Sequence, residues 1–246
     1  MSYIKPTSCN LTRVAGLSLL LLWSSSGMAQ LRTFQAIYTS QWDLGISLSG
    51  QAERSLIKQD DGRYVLTTAA SAMVASLTES SVFNMQGDNI EPHHYRYQRK
   101  VLGKTRNVEV AFDWPNKKVT NTAEGSDWVM DIEPHTLDKQ SVQLRLQLDL
   151  AVLPAIAGTT TYAYQVADGG HVKLYEFIAD GEDLIETPLG SYKSIRIKRD
   201  RGETAERETW IWFAPELDYS IVRIVQKEAD GKRYQIDLTQ LTWLDD

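Results

Sequence analysis

From Thr33 onward, aromatic and β-branched residues alternate with polar ones in short runs, and Gly, Asn and Asp interrupt them about every 8 to 12 residues. Alternation with period two is the mark of a strand with one buried face. It predicts strands over residues 33–42, 46–57, 63–74, 93–102, 107–113, 117–121, 160–166, 172–180, 191–199, 208–214, 220–228 and 234–243. The links are short. Lys58-Gln59-Asp60-Asp61-Gly62 carries the Asp-Gly pair of a hairpin, and Pro115 in Trp114-Pro115-Asn116-Lys117 presets φ for a turn. Asp168-Gly169-Gly170, Asp180-Gly181, Leu189-Gly190 and Asp230-Gly231 read as further turns. Tight links between successive strands give antiparallel pairing, so the pattern predicts a mainly β fold of consecutive antiparallel strands.

Residues 137–152 break the style. Val142, Leu144, Leu146, Leu148, Leu150 and Val152 alternate strictly with Gln143, Arg145, Gln147 and Asp149, which is a strand's period. The residue types favour a helix, with Asp138 as a cap and Pro154 as a stop. The prediction is one principal helix lying across a face of the sheet.

Residues 1–29 have the layout of a secretory leader. Lys5 and Arg13 precede an apolar run from Val14 to Trp23, and Gly27-Met28-Ala29 supplies small residues for cleavage after Ala29. About ten apolar residues make about 15 Å of helix, half of the hydrocarbon core, so a cleaved leader fits better than a membrane anchor. The expected mature chain is a single β-rich domain, residues 30–246, in the periplasm. Cys9 leaves with the leader, which excludes disulfides and thiolate catalysis from the mature chain and a lipid-attachment cysteine from the cleavage site. Formal charge moves from −6 to −8, because Lys5 and Arg13 are lost and no acid is. An acidic surface disfavours nucleic acid and unassisted docking on anionic lipid.

Chemistry is scarce. His93-His94 would point to opposite faces of a strand and cannot chelate together, so no metal site is expected. There is no Gly-x-Ser-x-Gly elbow and no nucleotide-binding glycine pattern, so neither a catalytic residue nor a cofactor is expected. Asp60-Asp61, Glu182-Asp183 and Asp245-Asp246 sit in predicted turns or at the terminus, as solubilising acids do. Residues 198–208 mix charges around Gly202 and read as a solvated hairpin tip. Strand aromatics stand out. Trp210 and Trp212 share a face. Core packing accounts for most such residues, and Trp42, Trp210 and Trp212 are the candidates for a ligand-binding aromatic wall.

In order and spacing these segments resemble the exported bacterial proteins of the domain of unknown function 3108 family over residues 33–243. The likeness rests on Trp42-Asp43-Leu44-Gly45, Asp61-Gly62-Arg63-Tyr64, Glu91-Pro92-His93-His94-Tyr95, Phe112-Asp113 and Leu137-Asp138-Lys139-Gln140-Ser141. Its most diagnostic part is Thr187-Pro188-Leu189-Gly190-Ser191-Tyr192 followed by Glu208-Thr209-Trp210-Ile211-Trp212-Phe213-Ala214-Pro215 and Ile221-Val222-Arg223. Lys139 and Ile221 stand where the family is expected to favour proline, which bears on backbone stiffness alone. The closing pattern is similar at fold level to periplasmic half-barrel lipoprotein carriers, a likeness that implies a strongly curved antiparallel sheet or incomplete β-barrel of about ten to twelve strands. The resemblance implies a non-enzymatic envelope protein binding a lipid or other amphipathic ligand in the curved sheet. A protein-interaction module for an envelope assembly, using a strand edge or the hairpin around Arg201, is the alternative. A cell-wall or ester hydrolase is the third.

Overall fold

A computed structural model describes residues 31–43, 47–73, 75–153, 155–202 and 205–244. The predicted leader, Cys9 and Pro154 lie outside the described residues. The strands are β1 (Phe34–Asp43), β2 (Ser47–Lys58), β3 (Tyr64–Ala72), β4 (Ala75–Gln86), β5 (Asn89–Val101), β6 (Lys104–Asp113), β7 (Lys118–Ala123) and β8 (Ser126–Asp131). After helix α1 (Ser141–Val152) follow β9 (Thr161–Asp168), β10 (His171–Thr187), β11 (Gly190–Asp200), β12 (Arg207–Ala214), β13 (Ser220–Glu228) and β14 (Arg233–Trp243).

All fourteen strands form one antiparallel sheet in the order β8-β7-β6-β5-β4-β3-β2-β1-β14-β13-β12-β11-β10-β9. Its first and last strands in sequence, β1 and β14, pair in the middle, from Phe34 opposite Trp243 to Asp43 opposite Arg233. The sheet's edges are therefore β8 and β9, at mid-chain, with α1 between them. The sheet is curved and open. Its edges approach at one corner, where Gly170 N–H donates to Asn121 Oδ1 at 3.3 Å. A Cβ on Gly170 would lie 2.9 Å from the Trp128 ring, so that corner requires glycine as well as the positive φ of 76°. Leu137 adds a short parallel bridge to Val166, its N–H donating to Gln165 and its carbonyl accepting from Ala167, which covers part of the β9 edge.

Two strands exceed the expected set. β4 (ASLTESSVFNMQ) is rich in serine and lacks a strong β-former until Val82, and β8 has only six residues. Asp180-Gly181 is not a turn: β10 runs through it, with a bulge between Ala179 and Gly181 in its pairing with β11. Pro92 sits inside β5 at another register shift, where a missing N–H is tolerated.

The helix forms as its residue types indicate. Asp138 Oδ1 accepts the N–H groups of Gln140 and Ser141, both at 2.8 Å, and Ser141 Oγ accepts the N–H of Asp138 at 2.8 Å, a reciprocal box that satisfies orphan donors at the helix start. Strict alternation spreads leucines around the cylinder, so the helix has no single apolar face and must be covered on several sides. It is: Val142, Leu144, Leu146 and Leu150 are buried among Phe34, Leu56, Leu66, Phe83, Phe213 and Leu238 from the sheet's inner face. A smaller core of Tyr95, Val110, Val119, Ile132 and Ala167 lies between the two edges of the sheet.

Candidate functional site

The inner face divides into two halves. Arg145 at mid-helix bonds the Asp88 carbonyl in the β4–β5 turn, and Gln147 Nε2 bonds the Asp218 carbonyl beyond β12 at 3.0 Å. Tyr162 donates to the Leu153 carbonyl at 3.0 Å and Tyr164 to Asp149 at 2.7 Å. These contacts hold α1 across one half of the concavity. The other half, beyond the helix start, carries polar and aromatic inward positions.

Arg54 is the deepest of these. It follows Ala52 and precedes Leu56 on the inward face of β2, and is only 5% exposed. Its Nη1 donates to Gln143 Oε1 at 2.9 Å, and its Nη2 has no partner among the described residues. Burial pushes its pKa down. A cavity of about 120 Å³ adjoins it, with Gln140, Gln143 and Glu79 on the polar side and Ile221, Ile224 and Ile236 on the apolar side. Gln140 Nε2 donates to Glu79 Oε2 at 2.5 Å and Tyr95 donates to Glu79 Oε1 at 3.2 Å. Tyr38, which also lines the cavity, donates to the Ile221 carbonyl at 3.1 Å, and burial pushes its phenol up to about 12.

Toward the open end, successive pairings set Trp42, Tyr234, Gln226, Thr209 and Arg199 side by side across β1, β14, β13, β12 and β11. Arg199 lies 3.4 Å over the Tyr175 ring, with its Nε buried and unpartnered. Arg201 Nη1 donates to Thr209 Oγ1 at 3.0 Å. Arg207 pairs with Glu228 at 2.8 Å. Burial and the repulsion of Arg199 and Arg207 pull Arg201 down to about 10. The three arginines line a cleft of about 420 Å³ where β11 and β12 diverge, together with Lys198, Lys227 and the carboxylates Asp200, Glu206, Glu208 and Glu228. Tyr97, on β5, feels Arg99 and Arg106 on its own side and Arg207 from across the opening, and Lys139 lies 5.3 Å over its ring. The hairpin tip is solvated as expected, with Asp200, Gly202, Glu206 and Arg207 exposed, while Arg199 and Arg201 are half-buried on its inward side.

The predicted tryptophans do not come together. Trp42 stands in the inner row, edge-on to Tyr234 with centroids 5.8 Å apart. Trp210 and Trp212 do share a face, but the opposite one: Lys198 lies over Trp210, and Trp212 Nε1 donates to Asp183 at 2.8 Å beside Arg196. Arg54, Arg199 and Arg207 were missed as site residues, although period two marks them. Each extends an inward series, Ala52-x-Arg54-x-Leu56, Ile195-x-Ile197-x-Arg199 and Arg207-x-Thr209-x-Ile211.

Residues 33–239 match the model of a family described as "Protein of unknown function (DUF3108)". The chain belongs to this family. DUF3108 membership agrees with the motifs at Asp138 and Trp210. Among solved structures the chain is similar to the β-barrel-like protein of domain of unknown function DUF1849 from Brucella abortus, at TM-score 0.57 and 11% identity over 87% of this chain and 99% of that one. That likeness extends to the fold alone. A putative exported protein with a YmcC-like fold from Bacteroides fragilis aligns at TM-score 0.34 and 10% identity, over 86% of this chain and 96% of that one. No curated protein matches the sequence. Among the described residues no helix is long and apolar enough to cross a membrane.

Proposed function

We propose that this DUF3108 protein is an exported, non-enzymatic envelope factor that holds an amphipathic ligand by its anionic end at the open half of the concave face. The observation that carries this is the gathering of Arg199, Arg201 and Arg207 around one cleft in a chain of net charge −6, where Glu228 pairs with Arg207 and acts on Arg201 through space but no carboxylate lies within ion-pairing distance of Arg201 among the described residues. Like charges placed this close are costly unless an anion relieves them. Guanidinium groups also suit phosphate and carboxylate heads, which they bind in two-pronged fashion. Tyr97, Tyr175, Trp42 and Tyr234 offer rings for the adjoining apolar part. The chain of such a ligand has no room under α1, because the helix already fills that half. The ligand therefore sits at the mouth, and Trp42 is the one predicted wall residue that belongs to it.

The test is flotation of the secreted chain with phosphatidylglycerol vesicles against phosphatidylcholine vesicles. Selective flotation that added salt weakens, and that changing Arg199, Arg201 and Arg207 to glutamine abolishes, supports the proposal. Equal recovery with both vesicle types sinks it. A second reading, a protein-interaction module, is favoured by the β8 edge, which no described strand pairs and where Trp128 is 43% and Val129 64% exposed. Cross-linking in the periplasm from position 129 separates the two.

A further inference from the structure

We propose that the cavity beside Arg54 is a binding site for a short-chain carboxylate. It is distinct from the arginine-lined mouth and does not depend on what binds there.

Size limits the occupant first. About 120 Å³ equals the volume of about four waters, well below the roughly 300 Å³ at which sites for larger organic ligands begin. Only a molecule of a few heavy atoms fits. Charge then selects its sign. Arg54 is 95% buried, since 5% of it is exposed, and its free Nη2 belongs to a residue lining this space. No carboxylate lies within ion-pairing distance of it among the described residues. Glu79, in the same lining, acts on Arg54 only through space, and a buried cation without a directly bonded counter-charge carries a standing cost that an anion at Nη2 relieves and a neutral guest does not.

Chemistry narrows the class further. One nitrogen of the guanidinium is committed to Gln143, leaving Nη2 as the donor, while the amides of Gln140 and Gln143 and the Thr68 hydroxyl lie around the same space. Glu79, the carboxylate in the lining, already accepts from Tyr95 and Gln140, and its charge repels a dianion such as phosphate more strongly than it repels a monoanion. Ala52, Ile221, Ile224 and Ile236 form an apolar wall that suits one or two methylenes. A monoanion with a short aliphatic tail satisfies all three conditions.

The experiment is isothermal titration of the secreted chain with propionate, propionamide and inorganic phosphate. Saturable binding of propionate is expected, with propionamide at least about tenfold weaker. Arg54→Met should lose the binding by at least the same factor. Because that variant could fail to fold, Ala52→Leu is the second arm: it leaves Arg54 in place and fills the cavity from β2, and it should abolish propionate binding while keeping a wild-type melting temperature. The proposal is overturned if propionate does not saturate, if propionamide binds as well, if phosphate binds and propionate does not, or if folded Ala52→Leu still binds propionate.

Discussion

The filled and open halves of the concave face are built by the same strands, and they differ in what those strands turn inward. β2 contributes Leu56 to the filled half and Arg54 to the open one, and β12 gives Phe213 and Ile211 to the first and Thr209 and Arg207 to the second. Period two fixes orientation along the whole strand, so the change in residue type marks where α1 stops covering the sheet. In the filled half the helix's polar side chains find partners: Gln143 with Arg54, Arg145 with Asp149 and the Asp88 carbonyl, Gln147 with the Asp218 carbonyl. Among the described residues, the buried side-chain atoms without a partner are Ser40 Oγ, Arg54 Nη2 and Arg199 Nε in the open half, Ser220 Oγ opposite Ala214 in the filled half and Asn121 Nδ2 at the corner, so both of the unpartnered cationic groups fall in the open half. Burial with partners stabilises, whereas burial without them costs free energy and is expected where something else is to bind.

Cutting into the filled half should give the largest effect. Leu146 is fully buried at 0% exposure in the main core. Leu146→Ala should lose about 2–5 kcal/mol, because both transfer energy and a residual void are at stake. Urea denaturation measures it. A loss below about 1 kcal/mol would mean that α1 packs loosely and that the two halves do not differ in the way described.

Asp138, where the halves meet, is next. Its side chain is fully buried, receives Ser81 Oγ at 2.5 Å, and burial pushes its carboxyl up to about 6. The folded protein therefore keeps this proton over a range where the unfolded chain, with an ordinary carboxyl near 3.9, has released it. Stability from this group is full below about pH 4 and falls as pH rises through about 6, by up to about 3 kcal/mol. Asp138→Asn, which keeps the acceptor for the helix N–H groups, should remove this slope. Parallel stability-against-pH curves for the two proteins would show that the site does not hold the proton.

Much of this architecture can be read from residue order. Alternation with glycine and proline punctuation located twelve strands, and good helix formers with Asp138 as a cap outweighed the misleading alternation of 142–152. What escaped has physical causes. β4 is a strand through its neighbours β3 and β5 and not through its own serine-rich composition, so local preference gave no signal. Asp180-Gly181 has the same residues as a turn, and only the cross-strand pairing distinguishes a bulge. Trp210 and Trp212 share a face, as alternation requires, but alternation does not say which face is concave. Composition drew attention to tryptophan, whereas Arg199 and Arg207 were read as part of a solvated tip and Arg54 drew no reading at all.

The smallest expected effect tests the open half most directly. Arg201→Gln gives up the bond to Thr209, worth about 0.5–1.5 kcal/mol, and relieves repulsion from Arg199 and Arg207. The two changes oppose each other, so the stability measured in urea should stay within about 0.5 kcal/mol of the wild type. Recovery with phosphatidylglycerol vesicles should nevertheless drop, since one of the three guanidinium groups facing the ligand is gone. A residue whose removal leaves the fold intact and weakens binding is part of a recognition surface. If Arg201→Gln instead destabilised the protein as much as Leu146→Ala, the arginines would be serving the core, and both halves of the concave face would be structural.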